Sequence, residues 1–255
     1  MLRFVSVLSA FAVLTAALAA VLSVMALLRL PGRGKVSIRY SRAVCALLGV
    51  RITVVGTPPQ HHAVLILANH VSWLDILAIT ATVPVIFVAK SEVRRWPLIG
   101  WVARARGTVF VERNRRQRTP EANADIAGYL AEGQSIVLFA EGTSSDGNRV
   151  LPFVTSLFAA AKPADGIEPP GAVVQTLSLV YTRLHGIPLD RADRPFVGWY
   201  GDMEMRSHAW RLLKAGPLDV RIRVGAPVPL AIAVPPEGSG AAKPRPAGEG
   251  AAKWV

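Results

Sequence analysis

Ala63-Val64-Leu65-Ile66-Leu67-Ala68-Asn69-His70-Val71-Ser72-Trp73-Leu74-Asp75 opens on an unbroken apolar run and closes on a polar cluster. A short apolar run bounded by polar residues reads as a strand buried on both faces. The strand predicted over Ala63–Leu67 therefore delivers Asn69, His70 and Asp75 at its C-terminal end, where open α/β sheets place ligands. Leu74 to Thr82 reads as the helix that follows.

The pattern repeats outward from this unit. Further strands are predicted at Arg51–Val55, Val85–Ala89, Thr108–Val111, Ser135–Phe139, Val173–Val180 and Val220–Val224. Gly56-Thr57-Pro58-Pro59 supplies a turn after the first of these. Lys35–Leu48 reads as an amphipathic helix near a membrane surface, and Arg206–Lys214 as a short helix. Pro120–Glu132 carries a proline at its start and Gly133 at its end, the usual punctuation of a helix. Strands alternating with helices define an α/β class: a layered domain with a central, mostly covered sheet. We find no internal repeat.

Of 255 residues, 51% are hydrophobic, and the formal charge is +12. Such an excess of cations favours polyanionic partners, either nucleic acid, anionic membrane or acidic substrates. Cys45 is the single cysteine, so an internal disulfide is excluded, and no Cys/His spacing suggests a metal. Phe4 to Leu28 contains no charge. As a helix it is about 37 Å long, enough to cross a hydrocarbon core of ~30 Å. Arg29, Arg33, Lys35, Arg39 and Arg42 follow it, which by the positive-inside bias places the body in the cytoplasm. Residues 4–28 are thus expected to be a transmembrane anchor, single-pass in the inner (cytoplasmic) membrane, residues 35–230 the folded domain, and residues 235–255 a disordered tail rich in Pro, Gly and Ala. A cleaved signal peptide ending near Ala17-Leu18-Ala19 fits less well, because the apolar run continues past that point. A helix lying in the interface would need a polar face, which the segment lacks.

Three clusters carry chemistry. His70 suits a general base near neutral pH, and an acid accepting its ring N–H fixes the tautomer. On one continuous helix His70 and Asp75 diverge by roughly 140°, so pairing requires His70 in the turn and Asp75 in the helix. Alone, such a pair also fits an exposed histidine and an acid at a helix start. In Gly107-Thr108-Val109-Phe110-Val111-Glu112-Arg113, an arginine at a strand end is placed to grip a phosphate or carboxylate, though Arg115, Arg116 and Arg118 make an exposed basic loop the plain alternative. In Phe139-Ala140-Glu141-Gly142-Thr143-Ser144, Glu141 and Thr143 are candidates to hold an acceptor, with Gly142 allowing close approach; the competing reading is a simple turn. Each cluster follows a predicted strand, so all three are expected at one sheet edge.

Together these motifs resemble the lysophosphatidate (1-acylglycerol-3-phosphate) acyltransferase family, whose patterns are N-H-x-x-x-x-D, G-x-x-F-[IV]-x-R and F-P-E-G-T-R. Here they stand as Asn69, His70 and Asp75; as Gly107, Phe110, Val111 and Arg113; and as Phe139 to Ser144. Lys90 and Ile99-Gly100-Trp101 match further family features. The resemblance implies a glycerolipid-acyltransferase-like fold. It also implies direct acyl transfer from acyl carrier protein or acyl-CoA to a lysolipid hydroxyl at a membrane, with no cofactor or metal and no acyl-enzyme. His70 would be the base, Asp75 its orienting acid, and Asn69, Lys90, Gly107, Arg113, Glu141, Gly142, Thr143 and Arg149 would form the acceptor site. Ala140 and Ser144 depart from the third pattern, where proline and an arginine are usual. The stretch Ala140–Arg149 resembles the lyso-ornithine-lipid branch of the family, with Arg149 placed to restore a missing charge, so both acceptors stay open.

Two other classes compete. An interfacial lipid-binding or lipid-hydrolysing protein would use Trp96-Pro97-Leu98-Ile99-Gly100-Trp101, flanked by Arg94, Arg95, Arg104 and Arg106, to dip into a bilayer. Nucleic-acid binding rests on charge alone, and no aromatic-interleaved basic module is present. His61, His62, His185 and His208 receive no role.

Overall fold

A computed structural model of the chain describes residues 2–59, 63–96, 99–111, 119–153 and 172–230. Arg113 and the expected tail at 235–255 lie outside the described residues. The chain runs α1 (Leu2–Leu27), α2 (Arg33–Leu48), β1 (Val50–Val55), β2 (Val64–Ala68), α3 (Leu74–Thr80), β3 (Ile86–Lys90), a 3-10 turn (Ser91–Arg95), α4 (Ile99–Ala105) and β4 (Val109–Val111). It continues through α5 (Thr119–Ala131), β5 (Ile136–Phe139), β6 (Val173–Leu184), β7 (Ile187–Pro188), α6 (Arg194–Val197), α7 (Met205–Ala215), β8 (Leu218–Val224) and β9 (Val228–Pro229).

The sheet order is β1-β8-β6-β2-β5-β3-β4, with β7 and β9 added to β6. From β6 to β4 all neighbours are parallel, while β8 runs antiparallel to β6 and parallel to β1. The layered α/β class expected from the sequence is therefore present, and the ends of β2, β5, β3 and β4 open on one edge. Although β1 and β2 are consecutive, β8 and β6 lie between them, so Gly56-Thr57 begins a crossover rather than a hairpin. Burial explains the placement. Every residue of β2 is buried except Leu67, as a central strand requires, whereas Thr53, Val54 and Val55 of β1 are exposed, as an edge tolerates.

Two apolar layers clasp the sheet. On one face Cys45, Ile79, Phe87, Leu179, Leu212 and Ile222 pack together, which seats α2, α3 and α7. On the other, Leu65, Leu138, Ile126 and Leu130 seat α5. Each such side chain removed from water contributes roughly 1.5–3 kcal/mol, before the entropy of ordering it. Strand β6 runs four residues past the expected Val180, because Arg183 and Leu184 still pair with β7 and β8 although their polarity breaks the alternation.

Helix α1 is apolar and long enough to cross a membrane over Ser9–Leu27. Thr15, Leu18, Ala19 and Leu22 are nevertheless buried, where α1 lies along α2 and α4. Thr15 Oγ1 and the Tyr40 hydroxyl share a 2.7 Å hydrogen bond across that contact. The opposite face exposes Val13, Val21, Val24 and Leu27.

Candidate active site

At the end of β2 the chain leaves the sheet, makes one loop and enters α3. That break in geometry brings His70 and Asp75 together, as helical spacing alone would not. His70 Nδ1 lies 2.8 Å from Asp75 Oδ2. The same oxygen accepts the backbone N–H groups of Val71 at 2.7 Å and Ser72 at 2.9 Å. Asp75 Oδ1 accepts the Tyr181 hydroxyl at 2.6 Å. Asp75 is completely buried, while the His70 side chain keeps 16% exposure. A carboxylate this enclosed persists because donors surround both oxygens. With Nδ1–H held by the carboxylate, the Nε2 lone pair is the nitrogen left for a substrate proton. His70 also stacks on Phe139, with ring centroids 3.9 Å apart and planes 14° from parallel.

Asn69 closes the ladder between β2 and β6. Its Oδ1 accepts the Leu179 N–H at 2.7 Å and its Nδ2 donates to the Leu179 carbonyl at 3.0 Å. Glu141 is buried, and its two carboxylate oxygens accept the N–H of His70 at 3.2 Å and of Leu151 at 2.9 Å. Both residues hold the His70 loop in place. Gly142, with φ +66°, turns the chain after β5. Ser145 then donates its N–H to the His70 carbonyl at 2.9 Å. Thr143 and Arg149 are exposed on this loop.

Gly107 has φ +76° and ends α4. Its N–H returns to the Arg104 carbonyl and that of Thr108 to Ala103, which is the glycine-terminated helix stop that launches β4. Val111 at the end of β4 pairs with Lys90 at the end of β3, on the edge that carries His70. The first and third motifs thus meet in direct contact, and the strand of the second opens on the same edge two positions away.

Sequence reasoning passed over Tyr181 and the segment around Trp199. Trp199 donates its N–H to the Val71 carbonyl at 2.8 Å, its own carbonyl accepts the Ser144 hydroxyl, and its ring meets Trp96 edge-on with centroids 6.3 Å apart. Trp96 therefore serves partly as packing for the site. Tyr181 did carry a signal: it continues the inward alternation of Leu177 and Leu179, and a buried tyrosine hydroxyl needs a partner. Burial, with the Asp75 charge second, pushes the Tyr181 phenol well above its ordinary value, so it stays a neutral donor.

Cys45 lies in the core beneath the site, its thiol pushed up to about 12 by burial. The folded protein is expected to resist iodoacetamide at pH 8 and to be alkylated once on unfolding, as intact mass would show. Among the described residues no cluster of His, Cys, Asp and Glu is arranged to hold a metal.

Residues 51–180, about half of the chain, match the family model described as Acyltransferase. The chain belongs to that family. It is 46% identical to a lyso-ornithine lipid O-acyltransferase of Brucella abortus over 74% of this chain and 71% of that one. A protein of the same description from Rhizobium meliloti is 44% identical over 74% and 65%. A 1-acyl-sn-glycerol-3-phosphate acyltransferase of Neisseria meningitidis is 35% identical over 74% and 70%. The fold matches the crystal structure of the 1-acyl-sn-glycerophosphate (LPA) acyltransferase PlsC from Thermotoga maritima with a TM-score of 0.53 at 22% identity, covering 89% of this chain and 90% of that one.

Proposed function

We propose that the protein moves an acyl group from a thioester, on acyl carrier protein or coenzyme A, to the hydroxyl of a lysolipid, with His70 as general base. The 2.8 Å hydrogen bond between His70 and the buried Asp75 at the sheet mouth carries this reading. Nε2 takes the acceptor's hydroxyl proton as the oxygen bonds to the thioester carbonyl carbon. The C–S bond then breaks, and the imidazolium returns the proton to the departing thiolate. Asp75 keeps the ring oriented and stabilises its transient charge. Arg113, Lys90, Thr143 and Arg149 are proposed to meet the acceptor's polar head.

Lyso-ornithine lipid is the acceptor we favour. Ser144 stands where a phosphate-binding arginine is usual in the family, and its hydroxyl is committed to the Trp199 carbonyl, which suits an acceptor without a phosphate. The names of the Brucella and Rhizobium relatives support the same choice. The Neisseria relative keeps lysophosphatidate as the second acceptor. Membranes expressing the chain should acylate lyso-ornithine lipid at least about tenfold faster than lysophosphatidate, a preference of roughly 1.4 kcal/mol in the transition state. The reverse preference would reassign the acceptor, and release of free fatty acid without any acceptor would point to a hydrolase.

We further propose attachment to the cytoplasmic face of the inner membrane through α1. Its exposed face, Val13, Val21, Val24 and Leu27, suits acyl chains, and the basic residues from Arg29 to Arg42 suit headgroups. Because α1 packs along α2 and α4, a full crossing would carry Arg39, Arg42 and Arg104 into the bilayer with it. Partial insertion from one side avoids that desolvation.

A further inference from the structure

We propose that Tyr181 is a positioning residue of the transfer site: by donating to Asp75 Oδ1 it fixes the carboxylate so that Oδ2 addresses His70. This rests on the reading of His70 and Asp75 as the reacting pair, and extends it to a residue outside every motif.

The geometry supports a dedicated function. Val71 and Ser72 hold Oδ2 from the loop side. Without a second hold on Oδ1 the carboxylate would still be free to twist about its last bond. Tyr181 supplies that hold at 2.6 Å from β6, across the sheet from the loop. The same strand fixes the other end of the loop, because Leu179, two residues earlier, clamps the Asn69 carboxamide. One strand thus sets the position of the residue before His70 and the orientation of the acid behind it. Just past Tyr181 the register of β6 against β8 slips by a residue, between Tyr181 and Arg183. Bulges of this kind re-aim side chains beside active sites. The titratable groups around the pair are His70 in the loop, Glu141 after β5 and Cys45 on α2. His70 bonds directly to Asp75, Glu141 is spent on backbone N–H groups, and Cys45 is held neutral by burial.

Tyr181→Phe removes one oxygen and leaves the ring in the core. The purified full-length variant is expected to lose about tenfold in kcat, with KM changed less than about twofold. In an Asp75→Asn background the same substitution should cost less than about twofold, because its effect passes through the carboxylate. The downfield Nδ1–H proton resonance of His70, which reads the His70–Asp75 bond whatever the chemistry, should move in Tyr181→Phe. Equal losses in both backgrounds, or an unmoved resonance, would overturn the inference. A moved resonance with unchanged kcat would uphold the coupling and count against His70 as the base.

Discussion

Asp75→Asn is expected to lower kcat by roughly a thousandfold while the protein stays folded and membrane-bound. The carboxylate is completely buried and takes donors from His70, Val71, Ser72 and Tyr181. An asparagine carbonyl turned toward Val71 and Ser72 keeps those bonds, and its amide can then donate to the Tyr181 oxygen. Packing therefore survives the exchange. What disappears is the negative charge beside His70 at the moment the imidazole takes a proton, and burial of Asp75 leaves that charge weakly screened. The loss belongs in kcat, since Asp75 has no exposed surface with which to touch an acceptor. Steady-state kinetics on purified protein, with thermal melting as the control for folding, checks this. A loss smaller than about tenfold would mean that the charge is not used.

The meeting of His70 and Asp75 was legible because their residue types and order are distinctive, and because a strand running into a helix leaves one loop in which spacing of five can close. Roles beyond the pair were harder to read. Asn69 and Glu141 look like acceptor ligands in a one-dimensional motif, yet their side-chain atoms bond to the backbone of Leu179, His70 and Leu151. Such bonds depend on which segments become neighbours, and local spacing holds no record of that. Gly107, named in the acceptor site by the resemblance, ends α4 in the structure. Tyr181 lies more than a hundred residues from its partner, on a strand whose length the alternation under-reported. The β1–β2 crossover was hidden for the same reason: a Gly-Thr-Pro-Pro turn looks alike whether the next strand is a neighbour or lies beyond two others. Strand positions followed from short apolar runs, because burial imposes them, and the edge shared by the motifs followed from each motif lying just after a strand.

In the proposed mechanism, transfer depends on His70. Its Nε2 is the one imidazole nitrogen not engaged by Asp75, its ring is braced by Phe139 and its backbone is tied to Glu141 and Ser145. Alanine removes the base and the stacked ring and leaves Asp75 with its remaining donors, so the loop has reason to persist. General-base assistance together with the charge it recruits is worth on the order of a thousandfold or more. The decisive measurement is acyl transfer to lysolipid by purified, full-length His70→Ala, shown by melting and vesicle flotation to be folded and lipid-bound. Loss of transfer by at least about a thousandfold is the predicted result; transfer within about tenfold of the parent would contradict the mechanism.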